Sequence, residues 1–432
     1  MPKDVIDLAP PVERAFLIAV DTGDDAGWTA EDSLAELASL ADTAGADVVG
    51  AEWQNRRHID PNWYLGKGKA QELVAAKAET GLTLLIADDE LKPMQQKALE
   101  ELLGVKVLDR SGLILDIFAQ HARTHEGRLQ VELAQLEYQL PRLTRLWTHL
   151  SRTQGGIGSR GPGESQLETD RRIIRAKVAK LKERVEQVRQ QRETASRARD
   201  RRLVPTVAIV GYTNAGKSSM LNALSGQEAA KAEDRLFATL DPTSRAVKLG
   251  DGQSAIVTDT VGFIHKLPHQ LVDAFRATLE EVVRAEVLLE VVDASDRHAP
   301  EHRRTVQQVL DELGAGDKPR LVVLNKADLV MDGGPDSAPT PIVEGAVLAS
   351  AATGYGLDLV RLRLATLLAE LWEEVDVTLP YAEGELLARV RERGTVEIDY
   401  RASDVRITGR VVPSLAGELR AAAARAGLPV AG

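Results

Sequence analysis

A phosphate-binding pattern occupies residues 211–218, which read GYTNAGKS. These residues fit G-x-x-x-x-G-K-[ST] and stand between a strand-like apolar run and a helical run. In such a loop the glycines let backbone N–H groups face phosphates at a helix N-terminus, Lys217 reaches the β and γ oxygens, and the Ser218 hydroxyl ligates Mg²⁺. The pattern predicts a P-loop nucleotide site with Mg²⁺ as cofactor.

A second motif, D-x-x-G at residues 259–262, ends the next apolar strand. It would place the Asp259 carboxylate near Mg²⁺, acting through water, and the Gly262 N–H near the γ-phosphate. We assign catalytic roles to Lys217 and Gly262. The next residue, Phe263, cannot orient an attacking water as a glutamine would. We therefore predict slow intrinsic hydrolysis, with the missing function supplied by a partner, a monovalent cation or a rearranged switch.

A third motif, N-K-x-D at residues 325–328, points to guanine. The Asp328 carboxylate can accept both the N1–H and the N2–H of guanine, donors that adenine does not offer in that pattern. Ser350 and Ala351 supply the usual last element, a backbone N–H for the base oxygen. The order of these motifs on successive strand ends predicts a GTP-hydrolysing switch protein with GTP as its substrate.

A mobile switch segment is expected at residues 236–243, where a threonine must reach Mg²⁺ when the γ-phosphate is present. Thr239 is favoured and Thr243 is the alternative, so the predicted metal ligands are Ser218 and Thr239. The full set of predicted nucleotide contacts is Gly211, Tyr212, Thr213, Asn214, Ala215, Gly216, Lys217, Ser218, Ser219, Phe237, Thr239, Asp259, Gly262, Asn325, Lys326, Asp328, Ser350 and Ala351.

The composition is that of a soluble multidomain protein, with 432 residues, 44% hydrophobic and 28% charged. No apolar run approaches the ~20 residues needed to span a bilayer, and acidic residues interrupt the N-terminus, so we expect no membrane span and a cytoplasmic location. Because the chain has no cysteine and its eight histidines are scattered, thiolate chemistry and cysteine zinc sites are excluded. Any metal should be bound through oxygen.

The fold class predicted from these patterns is multidomain α/β, because strand-like and helical runs alternate along most of the chain. An N-terminal α/β domain and a helical hairpin should precede a P-loop GTPase domain with a doubly wound sheet. A small C-terminal α+β domain should follow. The predicted boundaries are 1–124, 125–203, 204–372 and 373–432.

The hairpin carries most of the positive charge. Residues 142–202 contain 17 Lys and Arg against 7 Asp and Glu, a net of +10, which leaves −21 for the rest of a chain whose total is −11. Two apolar seams with mainly 4,3 spacing predict two helices that could pair antiparallel, the first kinked by Pro141, joined by a Gly/Arg loop at 151–163. The seam residues are Leu129, Leu133, Leu136, Leu140 and Leu143 in the first helix and Leu167, Ile174, Val178, Leu181, Val185 and Val188 in the second. A solvated coiled coil is one interpretation and RNA contact is the other. The candidate RNA contacts are Arg152, Arg160, Arg171 and Arg172.

A glycine and lysine loop at residues 62–69 opens a predicted helix in the N-terminal domain. Its spacing is not that of a Walker A motif, so a simple helix-start turn and an RNA or nucleotide contact are equally good interpretations. Whether ATP also binds at this domain stays open.

The strings at 155–172, 237–243, 259–263 and 63–69 together resemble the HflX GTPases over essentially the whole chain. Ser159 and Ser165, where threonine is common, are conservative departures. The resemblance implies binding to the 50S ribosomal subunit and its 23S rRNA, and we expect the chain to act as a monomer. It also implies rescue of stalled ribosomes by splitting 70S particles under stress, with the hairpin loop near the peptidyl transferase centre.

Two other functions fit the same residues. A large-subunit assembly GTPase would bind immature particles and leave 70S ribosomes intact. A GTP-regulated RNA-binding or RNA-remodelling protein would do its main work in the N-terminal domain. A basic hairpin would serve all three functions, so the residues alone do not rank them.

Overall fold

The computed structural model describes residues 12–23, 27–146, 162–200, 204–226, 236–237, 239–250, 253–268, 276–331 and 343–431. The chain divides into two compact units. The first comprises Met1–Gln187 and two short pieces of later sequence, Arg235–Ala238 and Lys266–Phe275. The second comprises Val188–Asp234, Thr239–His265 and Arg276–Gly432.

The first unit is built on a parallel sheet of four strands in the order β2-β1-β3-β4. Its centre is apolar on both faces, as expected where helices cover both sides of a parallel sheet, and six consecutive residues of β1, Ala15 to Val20, are buried. The strands are β1 (Arg14–Asp21), β2 (Asp47–Asn55), β3 (Leu84–Ala87) and β4 (Lys106–Asp109).

Four helices connect or follow these strands: α1 (Ala30–Thr43), α2 (Lys67–Thr80), α3 (Pro93–Leu103) and α4 (Arg110–His121). Local hydrogen bonds fix where two of them begin. The Thr29 side chain accepts from the Asp32 N–H at the start of α1, and the Asp109 carboxylate accepts from the Gly112 N–H at the start of α4. Both caps set the first turn of a helix that packs on the sheet.

Two long helices follow, α5 (His125–Leu146) and α6 (Pro162–Asp200). Ion pairs join them, from the Lys177 Nζ to a Glu132 oxygen at 2.7 Å and from the Lys182 Nζ to a Glu137 oxygen at 2.8 Å. Helix α5 continues through Pro141.

Helix α6 begins within the loop predicted at 151–163, because proline is well suited to a first helical position, where no N–H is required. Among the predicted seam positions of α6, Leu181 is buried, and Ile174, Val178, Val185 and Val188 are half-buried.

The second unit contains a six-stranded sheet in the order β10-β9-β8-β5-β7-β6, parallel except for β6, which runs antiparallel to β7. Its buried aliphatic core includes Val207, Ile209, Leu289 and Val323. The strands are β5 (Thr206–Val210), β6 (Thr243–Gly250), β7 (Gln253–Asp259), β8 (Val287–Asp293), β9 (Arg320–Asn325) and β10 (Val347–Leu348). The helices are α7 (Lys217–Ser225), α8 (Arg276–Arg284), α9 (Ala299–Glu312), α10 (Ala327–Val330) and α11 (Leu357–Glu370).

The last part of the second unit is an antiparallel sheet, β12-β13-β11-β14, with two helices. Its elements are β11 (Glu373–Pro380), α12 (Gly384–Arg393), β12 (Gly394–Tyr400), β13 (Asp404–Val411), α13 (Pro413–Arg425) and β14 (Val430–Ala431). The multidomain α/β class predicted from the sequence is confirmed. None of the helices in the described ranges combines the length and the apolar character needed to cross a membrane.

Candidate nucleotide-binding site

The loop between β5 and α7 has the backbone of a phosphate cradle. Gly211 has φ +150, and a Cβ there would lie 2.3 Å from the Val291 carbonyl oxygen. Gly216 has φ +89, and a Cβ there would lie 2.3 Å from the Asn325 Nδ2. Both positions require glycine, because the neighbouring strands β8 and β9 leave no room for a side chain in this left-handed backbone.

Lys217 opens α7 and is buried. Its Nζ donates to the Tyr212 carbonyl oxygen at 2.7 Å. Burial lowers the pKa of Lys217 to about 8, and the nearby Asp259 charge only partly opposes this. A buried ammonium is expensive without an anion, so this lysine is poised to gain from an incoming phosphate.

Three oxygen-bearing side chains converge beside the loop. The Ser218 Oγ donates to the Asp259 Oδ2 at 2.6 Å and lies 2.7 Å from the Thr239 Oγ1. Burial raises the pKa of Asp259, against the hydrogen bond from Ser218 and the charge of Lys217. Thr243 instead begins β6 and pairs with Asp259 in the strand ladder, with its side chain exposed. The structure brings Thr239, the favoured threonine, to the loop serine.

These residues fit Mg²⁺. The Asp259 Oδ1 is buried and has no hydrogen-bond partner among the described atoms, and the same holds for the Thr213 Oγ1. A hard divalent cation takes hydroxyl, carboxylate and water oxygens, which is the donor set present here. Ser218 and Thr239 would hold the ion, with Asp259 behind them.

The backbone after the D-x-x-G motif is strand-paired with the phosphate loop. The Phe263 N–H donates to the Gly211 carbonyl at 3.1 Å, and the Thr213 N–H donates to the Phe263 carbonyl at 2.8 Å. A Cβ on Gly262 would lie 2.7 Å from the Lys217 Nζ and 2.9 Å from the Thr213 Cα. The Phe263 side chain is fully buried, so it presents no polar group to a water.

Tyr212 makes contacts that the motifs did not predict. Its hydroxyl accepts from the His265 N–H at 2.7 Å, and its ring stacks on that of His302, on α9, with centroids 3.7 Å apart. It thereby joins the phosphate loop, the segment after D-x-x-G and a helix about ninety residues further along. No periodicity or spacing along the chain signals this pairing.

The base-binding end is assembled around Asn325. Its Nδ2 donates to the Ala215 carbonyl at 2.9 Å, and its Oδ1 accepts from the Ala351 N–H at 3.0 Å. The Ser350 hydroxyl donates to one oxygen of Asp328. The structure thus brings the N-K-x-D motif, the Ser350-Ala351 element and the phosphate loop into one site.

Among the other predicted residues, three lie in helices, one lies in the first unit, and two lie outside the described residues. Ser219 belongs to α7, and Arg171 and Arg172 lie on α6. Phe237 belongs to the first unit, where its ring packs edge-on against Phe118, because an apolar ring gains more from burial than from a phosphate. Arg152 and Arg160 lie outside the described residues.

Three family models match the chain in succession. They are described as a GTP-binding GTPase N-terminal region, matching residues 31–119, a GTP-binding GTPase middle region, matching 121–199, and a 50S ribosome-binding GTPase, matching 206–326. The first break between the matches falls in the last turn of α4, and the second falls just before β5.

Curated relatives match over most of their length. A GTPase HflX from Caldanaerobacter subterraneus subsp. tengcongensis is 44% identical over 418 residues, covering 96% of this chain and 94% of the relative. The GTPase HflX of Escherichia coli is 43% identical over 377 residues, covering 86% and 88%. Among solved structures, a GTP-binding protein from the archaeon Sulfolobus solfataricus in complex with GDP is 25% identical and covers 82% of this chain and 98% of that one, with a TM-score of 0.41.

Proposed function

Because this chain belongs to the HflX family of GTPases, we propose that it hydrolyses GTP on the ribosome, binding the 50S subunit and splitting or rescuing stalled 70S particles. The observation that carries the proposal is the combination of an assembled GTP site with the long basic helix α6 in one chain. The proposed setting is the cytoplasm under stress, with the protein acting as a monomer.

The proposed role of the GTP site begins with binding. Lys217 leaves the Tyr212 carbonyl and pairs with the β and γ oxygens, while the backbone N–H groups of the loop face the phosphates. Bound Mg²⁺ supplies positive charge that neutralises the phosphate oxygens. Ser218 and Thr239 hold it, and the Gly262 N–H fixes the γ-phosphate.

Hydrolysis by the chain alone should be slow. The Phe263 side chain is buried and cannot position a water, and no other residue in the motif offers that function. We propose that the ribosome completes the site, either by supplying a group or by ordering the segments around Thr239 and Gly262. GTP hydrolysis would then release the chain from the 50S subunit.

The proposed rRNA contact is the positively charged part of the helical hairpin, residues 142–202, here called the basic arm. Arg171 is half-buried and Arg172 is exposed on α6, a helix with 11 Lys and Arg against 7 Asp and Glu. Arg152 and Arg160 lie within the Gly/Arg loop predicted at 151–163. Arginine suits the phosphate-lined clefts of 23S rRNA, because it can pair with phosphate in a bidentate fashion or stack on bases.

The test measures GTP turnover by the purified chain alone and with 30S, 50S or 70S particles, while sedimentation follows the particles in the same samples. We expect stimulation on the order of tenfold or more by 50S and 70S, with 70S splitting. Stimulation without splitting would favour an assembly role, and no stimulation would favour an RNA-binding or RNA-remodelling function.

A double charge-reversal variant tests whether the basic arm contacts rRNA. Arg152→Glu with Arg160→Glu should weaken binding to 50S subunits at low salt and make the remaining binding less sensitive to salt, because fewer phosphates are neutralised by the protein. Arg363→Glu, on α11, is the matched control because Arg363 is exposed and lies far along the chain from the arm. Unchanged 50S affinity in the double variant would refute the arm as the rRNA contact.

A further inference from the structure

Two residues beside the switch motifs belong to the first unit rather than the second. Phe237 precedes Thr239 by two residues, and Lys266 follows Gly262 by four. Thr239 and Gly262 are part of the GTP site in the second unit, but Phe237 and Lys266 cluster with the N-terminal sheet and its helices. Each switch segment therefore has one end at the nucleotide and the other in the first unit.

Lys266 is held by two carboxylates. Its Nζ lies 2.7 Å from the Asp88 Oδ2 and 2.7 Å from the Asp89 Oδ1, just beyond the end of β3. Asp88 is fully buried and is also paired with Arg110, whose Nη2 lies 2.6 Å from its Oδ1. Asp89 accepts from the buried Tyr64 hydroxyl at 2.5 Å. The charge of the Lys266 ammonium group is thus neutralised by two carboxylates of the first unit.

Phe237 is the second anchor. Its side chain is 3% exposed, and its ring meets that of Phe118 at a centroid distance of 4.7 Å and an interplanar angle of 71°. Phe118 lies on α4, the helix that begins with Arg110. Both anchors therefore rest on the same framework of α4 and the end of β3.

Both anchors have a left-handed backbone, φ +56 at Phe237 and φ +54 at Lys266. This conformation is unfavourable for residues with a Cβ, and it is most unfavourable for bulky ones. It persists because the surrounding contacts hold it, as in other switch regions. Loss of either contact would let its segment relax.

The anchored state coincides with a closed arrangement at the nucleotide. Ser218 lies within hydrogen-bond distance of both Asp259, at 2.6 Å, and Thr239, at 2.7 Å, an arrangement that would let the three side chains serve one Mg²⁺ bound with a triphosphate. We propose that the first unit is a state-selective clamp: by holding Phe237 and Lys266 it favours the closed switch segments, and so strengthens the binding of GTP relative to GDP.

The clamp has a simple thermodynamic form. It can favour GTP only if its contacts differ between the two nucleotide states, and the γ-phosphate supplies that difference through Thr239 and Gly262. Linkage is reciprocal, so GTP strengthens the clamp by the same factor. The proposal depends on the GTP site alone and is independent of the ribosomal role.

The experiment compares the affinities of the full chain for GDP and for a non-hydrolysable GTP analogue, by titration calorimetry. Lys266→Met keeps the length of the side chain and removes its charge. We expect the preference for the analogue over GDP to fall by about 5- to 150-fold, with GDP affinity unchanged. Lys248→Met, at an exposed position on β6, is the control and should leave both affinities unchanged.

A second variant guards against a folding defect. Asp89→Asn removes one of the two ion pairs of Lys266 and leaves the buried pair of Asp88 and Arg110 in place. Thermal unfolding is followed for every variant. When Lys266→Met is made in the Asp89→Asn background, its effect should be smaller than in the wild type, since the ion pair between Lys266 and Asp89 is already lost and only the pair with Asp88 remains to be removed. Equal weakening of both nucleotides, fully additive effects, or no change in Lys266→Met would each overturn the clamp.

Discussion

Acidic residues lie at the carboxyl ends of parallel strands in both units, but their surroundings differ. In the first unit the Asp88 carboxylate receives Arg110, Lys266 and the Ser33 hydroxyl, all at 2.6 to 2.7 Å. In the second unit the Asp259 carboxylate receives Ser218 on one oxygen, while its Oδ1 is buried with no partner in the part of the chain that the structure describes. The Asp88 cluster is complete, because both oxygens of its carboxylate have partners. The Asp259 cluster is incomplete, because one oxygen has none among the described residues.

The pKa directions follow this difference. Burial raises the pKa of Asp88, but the charges of Arg110 and Lys266 outweigh it and hold that pKa well below its usual range. Burial also raises the pKa of Asp259, and there the opposing hydrogen bond and charge are too weak to reverse it. A completed charge network serves structure, whereas an incomplete one in the same sheet position is prepared for a ligand.

The largest expected effect breaks the complete cluster. Asp88→Asn leaves Arg110 buried with a weaker set of partners, and the free energy of unfolding should fall by about 3–5 kcal/mol. Chemical denaturation measures this, with Asp47→Asn, at an exposed position on β2, as the control. A change as small as that of the control would mean that the cluster contributes little to stability.

The same pair of proteins gives a pH dependence with a definite sign. The folded pKa of Asp88 lies below the usual 3.8, so its contribution is fully present above about pH 4 and is lost as the pH falls toward the folded pKa. The difference in unfolding free energy between wild type and Asp88→Asn should therefore be constant from pH 5 to pH 7, as for any group ionised in both states. It should shrink below about pH 4. A difference that grows on acidification would contradict the assigned direction.

The next effect tests the incomplete cluster. Lys217→Met removes the charge that should meet the phosphates, so GTP hydrolysis should fall by about 10²- to 10³-fold. Because this lysine has no bound anion in the free protein, unfolding free energy should change by less than about 1 kcal/mol. Phosphate release and denaturation are measured on the same sample. A large loss of stability with activity retained would reverse the comparison between the two clusters.

A smaller effect is expected at the base. Asp328→Ala removes the acceptor for the two guanine donors, and GTP affinity should fall on the order of 10- to 100-fold while the weak affinity for ATP does not change. Competition binding with both nucleotides measures it. Asp358→Ala, at an exposed residue of α11, is the control. Parallel loss of both nucleotides would place Asp328 outside base recognition.

The smallest expected effect tests how tightly the nucleotide site is packed around Gly262. In Gly262→Ala the added methyl group would meet the Lys217 Nζ at 2.7 Å and the Thr213 Cα at 2.9 Å, so the hydrolysis rate should fall about tenfold through overpacking. Gly417→Ala, on α13 with open space around it, is the control and should leave the rate unchanged. Single-turnover hydrolysis separates this effect from nucleotide binding.

Several elements could be predicted from the sequence because their physics is local. The phosphate loop, D-x-x-G and N-K-x-D each use consecutive residues on one strand end, so order along the chain determines their role. The strand and helix alternation of the first and second units, and the a/d seam of α6, depend on periodicities within short windows. The GTPase assignment and the HflX resemblance both followed from such segments and are confirmed.

The contacts of single side chains required the tertiary structure. Lys266 reaches Asp88 across 178 positions, Tyr212 meets His302, and Phe237 is buried against Phe118 instead of facing nucleotide. No spacing encodes these pairs, because each depends on which elements pack together. By itself the sequence determined the chemistry of GTP binding, whereas only the tertiary structure decided which charges are neutralised within the protein and which await a ligand.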